Sequence, residues 1–438
     1  MEFDPPVEPY STSDKTSFAY VSARDRWPVI LTGAIDDLHK AVSATEDPSR
    51  QEEGKHITKA LATLKYEVQH DRRLTPLEGN GPDIEIYNHE LSQRGNPKWF
   101  NVSWLYAECY LYRRLATLFS QSQRWQGYDV FSTQKTQTFH SSRSAVLELA
   151  ERYVSILHTL STQPPTLEAS ETLFTEILKI SLWGNATDLS LLTSLSPDQL
   201  THLQSSNHRT SSDSKILVND SADAFVHLTS EPPGRVDIIL DNAGFELFAD
   251  LIFAGYLLEA GLAREVVLHP KDIPWFVSDV VPRDFAGLIN ALASPVWELD
   301  GKEREVLGEL VGHWTKLHAE GKLVLRPNAF WTQPGSFWRM PHAERGLYGE
   351  LCASGLVVFK GDLNYRKLVG DCMWEPTTGF REAIGPLKRG NVLALRTCKA
   401  DVVVGLPEGK DEELRGGKKA REWAWSGEFA LVQFNKGE

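Results

Sequence analysis

Cysteine is scarce. Four residues in 438 (Cys109, Cys352, Cys372, Cys398) stand far apart, with no CxxC pair and no ribbon spacing. That excludes a disulfide framework and a ribbon-type zinc site, and it points to a reducing compartment. Long apolar runs are missing too. A membrane-crossing helix needs about 18–20 uncharged apolar residues; the best candidate, LIFAGYLLEAGL, is short and broken by Glu259. Nor is there a surplus of positive charge: 46 Lys and Arg against 59 Asp and Glu give a net charge of −13. This argues against a general nucleic-acid binder, which needs a basic face. It leaves room for a small phosphorylated ligand, because a pocket can be locally basic in an acidic chain. The first residues, MEFDPPVEPYSTSDK, are acidic and Pro/Ser-rich, the reverse of a signal peptide. A cytoplasmic or nuclear location is therefore expected, the cytoplasm first, with no membrane partner. The oligomeric state stays open, a monomer included.

What is present is an ordinary globular composition, 41% hydrophobic and 24% charged. Its texture changes along the chain. From about Tyr20 to Leu192 the apolar spacing is helical, as in RDRWPVILTGAIDDLHKAV, WLYAECYLYRRLATLF, SAVLELAERYVSILHTL and LEASETLFTEILKISLW. The polar run QSSNHRTSSDS then marks a loop or boundary. Beyond it short apolar runs alternate with helical ones: VDIIL, EVVLHP, LVLRPN, LVVFKGD, VLALRTCK and DVVVGLP, with GEFALVQFNK as a candidate edge strand. Such alternation is the mark of an α/β fold whose largely parallel sheet is covered by helices on both faces, a three-layer, Rossmann-like arrangement. The expected division is a helical N-terminal domain over 1–200 and an α/β catalytic domain over 201–438.

In such sheets ligands gather at the carboxyl ends of the strands. The polar residues there are telling. VDIIL is followed by Asp241 and Asn242; IPWFVS ends near Asp279; LVVFKG leads to Asp362, Asn364, Tyr365 and Arg366; VLAL leads to Arg396, Thr397 and Lys399. Asp241, Asn242 and Asp279 supply hard oxygen donors for a divalent cation. Arg366, Arg396 and Lys399 supply charge and donors for a phosphate. Carboxylates, a metal and Lys or Arg are the apparatus of phosphoryl transfer. Gly244 permits a tight turn into the next helix, where Glu246 reaches a substrate hydroxyl or water, or else Glu246 and Asp250 merely complement the helix dipole.

Taken singly these features are weak, since an Asp ending a strand is commonly a helix cap. Their coincidence at four separate run ends carries the reading. Other features fall away. LRGGKKAR lacks the leading Gly and following Ser/Thr of a phosphate loop. His313 and His318 are five apart and read as ordinary helix residues. Trp331 and Trp338 are candidates for a cleft wall.

The combination DNAGFE, FVSD, GDLNYRKL and RTCK resembles the metal-dependent damage-control phosphatases, a family long labelled a domain of unknown function. Arg396 to Lys399 match the Arg-Thr-x-Lys signature of its third subfamily, whose members act on sugar phosphates. The resemblance covers nearly the whole chain. It implies that Asp241, Asn242 and Asp279 bind the metal (Co²⁺, Ni²⁺, Mn²⁺ or Mg²⁺). It also implies that these residues, with Glu246, the run Asp362, Leu363, Asn364, Tyr365 and Arg366, and Lys399, contact the substrate. Asp241, Asn242 and Lys399 would be the catalytic set. Asn185 and Asp188 fall in a stretch typical of the family and are expected near the metal, and Arg26 is expected to cover the pocket from the helical half. The implied reaction is hydrolysis of compounds such as fructose 1-phosphate and fructose 6-phosphate, through an aspartyl phosphate on Asp241 or by direct attack of activated water. Members of that branch have also been described as S-adenosylmethionine-dependent protein-glutamate methyltransferases, the alternative activity. Against that alternative, the sequence lacks a glycine-rich adenosyl loop.

Overall fold

The computed structural model describes residues 2–79, 81–162, 165–184 and 214–438. At its centre is a sheet of seven strands: β1 Ile216–Asn219, β2 Gly234–Ile239, β3 Ala263–His269, β4 Leu323–Leu325, β5 Leu356–Lys360, β6 Val392–Thr397 and β7 Ala430–Asn435. Their order is β1-β7-β6-β5-β2-β3-β4. Every neighbouring pair is parallel except β6 with β7.

Both faces of the sheet are buried, which is why its strands read as unbroken apolar runs. Ile239, Val357, Phe359, Val392 and Ala394 point into one core, shared with Trp27, Trp99, Trp104 and Tyr110 of the helical half. Val236, Ile238, Val266, Val358 and Leu393 point into the other. That second core is covered by the helices Arg143–Thr162, Leu167–Trp183, Phe245–Glu259 and Gly301–Ala319. The helix Phe245–Glu259 is buried along almost all its length, which accounts for its apolar character on every side. The architecture is thus the expected α/β one. The expected boundary at residue 200 lies outside the described residues, and on either side of it helices and sheet share these two cores.

Three local expectations need correction. GEFALVQFNK is not an edge strand: β7 lies between β1 and β6, antiparallel to β6. The edge is taken by the four-residue β1, which the sequence reading did not single out. DVVVGLP forms no strand, although Val402, Val403 and Val404 are buried. The fully buried Arg396 guanidinium donates to the carbonyls of Ala400 and Val402, so part of that segment's backbone is bonded to a side chain rather than to a neighbouring strand. Finally, IPWFVS is an irregular loop in which Phe276 and Val277 have φ of 43° and 69°.

Candidate active site

The chain leaves β2 at Asp241, and the loop after β3 returns to meet it. Val280 N–H donates to the Asp241 carbonyl (2.8 Å) and Ala243 N–H to the Ser278 carbonyl (2.7 Å). This short antiparallel bridge sets Asn242 opposite Asp279, so two residues 37 positions apart become neighbours through backbone bonds alone. Gly244, at φ 73°, then turns the chain into the helix Phe245–Glu259, as its place in DNAG suggested. Asn242 Nδ2 donates to Asp241 Oδ2 and to Glu246 Oε2, both at 2.7 Å, and Ser278 Oγ donates to Asn242 Oδ1.

These acids are crowded. Asp241 is 6% exposed, and its carboxyl is held well above the usual range by burial, then by Glu246 and Asp279, against the pull of Lys271 and Lys399. Asp279 is pushed up to about 6 by burial, although Lys271 and Lys135 oppose it. Asp250, one helical turn beyond Glu246, is likewise pushed up to about 6 by burial, with Lys360 as the main opposing influence. The two carboxylates of this helix do more than complement its dipole. Lys360 Nζ, at the end of β5, sits 2.7 Å from Asp250 Oδ1 and 3.4 Å from Glu246 Oε1, and donates to Ser181 Oγ (2.8 Å).

Three buried lysines, none of them anticipated, hold this arrangement. Besides Lys360, Lys271 Nζ lies 3.3 Å from Asp279 Oδ2 and donates to the Leu240 carbonyl and Asn364 Oδ1. Lys135, from the helical half, donates to the Asp279 carbonyl and pairs with Asp129 and Asp284. Lys135 stands in the polar helix Ser132–Ser141, Lys271 in a loop and Lys360 at the close of an apolar run, so none gives a periodic signal; only packing reveals them. Gly361 was also missed. It has φ 81°, and a Cβ there would stand 2.0 Å from Asp241 Oδ2. Only glycine lets β5 approach the Asp241 carboxylate.

The run Asp362 to Arg366 divides. It forms the short helix Gly361–Leu368, which turns most of its side chains inward. Arg366 does not face the acids at β2: it pairs with Glu108 (2.8 Å) and Asp371 (2.9 Å) and stacks on Trp104. Tyr365 donates to Gln433, Leu363 is buried in the core, and Asn364 Nδ2 bonds the carbonyls of Leu240 and Lys360. Arg396 is also committed, to Asp362 and the 400–402 backbone, so neither arginine is free to meet a phosphate. Asp362 Oδ1 in turn accepts the Lys399 N–H at 2.9 Å. The Lys399 ammonium has no ion-pair partner among the described residues, and its charge bears on Asp241.

Trp331 is fully buried core, whereas Trp338, which donates to the Ala383 carbonyl, does line a cavity, but one shared with Arg381, Gly385 and Lys388 and with none of the β2 acids. Asn185 and Asp188 lie outside the described residues. Arg26 lines a cleft whose rim includes Ser278.

The donors suit a hard divalent cation: two carboxylates and an amide, in a place where positive charge would relieve the crowding around Asp241. Among the described residues no three His, Cys, Asp or Glu side chains cluster closely enough to enclose an ion alone. Asn242, or oxygens of a ligand, would have to complete the shell.

Crowded buried acids, and a lysine with no ion-pair partner among the described residues, at the carboxyl ends of a mostly parallel sheet define an α/β protein with a polar rim site able to take an anion through a cation. The family model for the damage-control phosphatase ARMT1-like domain matches residues 22–414, and the chain belongs to that family. Curated relatives named damage-control phosphatase ARMT1 agree. The Rattus norvegicus protein is 36% identical, covering 97% of this chain and 98% of its own. The Danio rerio protein is 36% identical over 99% of both, and the Homo sapiens protein 34% over 97% and 98%. A solved DUF89 family protein of Pyrococcus horikoshii is a distant likeness, at 16% identity and a TM-score of 0.42 over 93% of this chain and 97% of its own.

Proposed function

We propose that this chain is a divalent-metal-dependent phosphatase of sugar phosphates, fructose 1-phosphate and fructose 6-phosphate among them, with Asp241 as nucleophile. The observation that carries the reading is the pairing of opposites at one rim: Asp241 crowded by Glu246 and Asp279, with the Lys399 ammonium, unpaired among the described residues, acting on it. The phosphatase names of relatives that match end to end support it. Asp241, Asn242 and Asp279 would hold the ion; when bound, it supplies positive charge that offsets the phosphoryl oxygens and keeps the acids ionised.

The chain's own residues do the rest. Asn242 fixes Asp241 Oδ2, leaving Oδ1 to attack phosphorus. A bond forms from Asp241 oxygen to phosphorus, the bond to the sugar oxygen breaks, and that oxygen takes a proton from solvent water as it leaves, the hydroxide so formed being neutralised by the proton that the second step releases. Lys399 balances the charge on the transferring group. Water then attacks the aspartyl phosphate, giving its proton to Glu246, and releases inorganic phosphate. Glu246 is suited to this because Lys360 and Asn242 hold both its oxygens in place.

The test is a sugar-phosphate panel assayed with Co²⁺, Ni²⁺, Mn²⁺ and Mg²⁺, beside a methyl-donor control. Metal-dependent phosphate release is the expected result. Methyl transfer to protein glutamate without phosphate release would replace this reading with the alternative.

A further inference from the structure

A cleft of about 950 Å³ among the described residues shares an edge with the acid cluster. Ser278 stands on its rim and donates to Asn242. One face of the helix Trp27–Ala44 forms a wall, reaching the cleft through Ile30, Gly33 and Asp37. The facing wall carries Gln134 and Gln137.

Both sides are shaped by unusual backbone. The helix is entered through a five-residue π-helical turn, Ser22–Arg26, whose Asp25 and Arg26 line the cleft; such turns are rare and concentrate at functional sites. Opposite, Phe276 and Val277 are consecutive non-glycine residues in the left-handed region, a strained conformation for side chains of this size. Its result is to lay Phe276 nearly parallel on Tyr112, with ring centres 4.7 Å apart.

Tyr112 is the informative residue. It is 2% exposed and lines the cleft, yet its hydroxyl makes no hydrogen bond to any described residue. Its oxygen is not among the enclosed polar atoms left without a partner, so the buried ring presents an open hydroxyl to the cleft. Burial, then Glu108, holds the phenol well above its usual range, so it stays protonated and able to donate.

We infer that this cleft receives the alcohol half of the phosphomonoester and that Tyr112 is a specificity-determining residue, hydrogen-bonding a hydroxyl of that half. The inference rests on the phosphatase reading. The class of alcohol follows from the walls. The carboxylates of Asp25, Asp36 and Asp37 and the amides of Gln134 and Gln137 accept hydrogen bonds from hydroxyls, and the acids outnumber Arg26 and Lys40. A neutral polyol fits such walls better than an apolar or anionic group.

The test compares the wild type with Tyr112→Phe on a hexose monophosphate and on p-nitrophenyl phosphate, whose leaving group has a ring but no aliphatic hydroxyl. With one hydrogen bond lost, kcat/KM for the hexose phosphate falls about tenfold further than for the aryl phosphate, mostly through KM. Gln134→Ala, at an exposed position that does not endanger folding, shifts the same ratio less. Equal changes on both substrates in both variants, or no change, overturn the subsite while leaving the phosphatase reading intact. A wild type that hydrolyses neither compound overturns both.

Discussion

Two stretches of one rim handle charge in opposite ways. At the end of β2, Asp241, Glu246 and Asp279 are packed together, and although Lys271 meets Asp279 and Lys360 meets Glu246, burial and mutual repulsion leave Asp241 and Asp279 with raised pKa values. At the ends of β5 and β6, Arg366 is clamped by Glu108 and Asp371, and Arg396 by Asp362 and two carbonyls. Saturated charges of the second kind build the protein, because removing one partner strands the other in a low-dielectric interior. Unsaturated charges of the first kind persist only where something else completes them. Charge residues alone look alike in sequence; the difference is who answers them.

The comparison breaks most visibly at Asp241. Asp241→Asn should reduce kcat by about 10³-fold or more while leaving circular dichroism and Tm close to wild type, since the amide keeps an oxygen to accept from Asn242 and relieves the crowding. Gly361→Ala should follow. Its methyl group would collide with the Asp241 carboxylate, and a displacement of this kind costs about 10²-fold in rate, read as a fall in kcat of the folded enzyme. Arg366→Met should do the reverse of Asp241→Asn: a stability loss of about 3–5 kcal/mol in urea unfolding, because Glu108 and Asp371 are stranded, with turnover per folded molecule largely kept.

That last contrast marks where sequence reading stops. The rule that ligands gather beyond the strand ends brought Asp241, Asn242 and Asp279 to one place, since strand ends are visible as the close of an apolar run. It treated GDLNYR and RTCK in the same way. There an eight-residue helix rotates Asn364, Tyr365 and Arg366 inward, and rotation about a helix axis depends on packing no local pattern records. Lys135, Lys271 and Lys360 escaped for the same reason. Gly361 is a plain glycine in sequence and becomes telling only when Asp241 is seen against it. β1 was invisible because four residues after a polar run carry too little periodicity, and DVVVGLP misled because a buried arginine, not a strand, holds its backbone.

The smallest effect lies at a second uncompensated acid. Asp401 is 3% exposed and accepts bonds from Ser17 Oγ and the Phe18 N–H, yet burial pushes its carboxyl up to about 7. The folded state therefore holds this proton more tightly than the unfolded chain, whose value is about 3.9. The resulting stabilisation is full below that value and is lost as the pH rises through about 7. Asp401→Asn removes the titration, so the Tm difference, variant minus wild type, should grow between pH 4 and 7. A constant difference across that range would place Asp401 with the saturated charges.

The central claim is that the unsatisfied acids at β2 are completed by a divalent cation. Crystals soaked in Mn²⁺ test it by anomalous scattering. The account predicts one strong peak among the oxygens of Asp241, Asn242 and Asp279, absent in Asp241→Asn crystals treated alike; no peak there at saturating Mn²⁺, or a peak that survives the substitution unchanged, would contradict it.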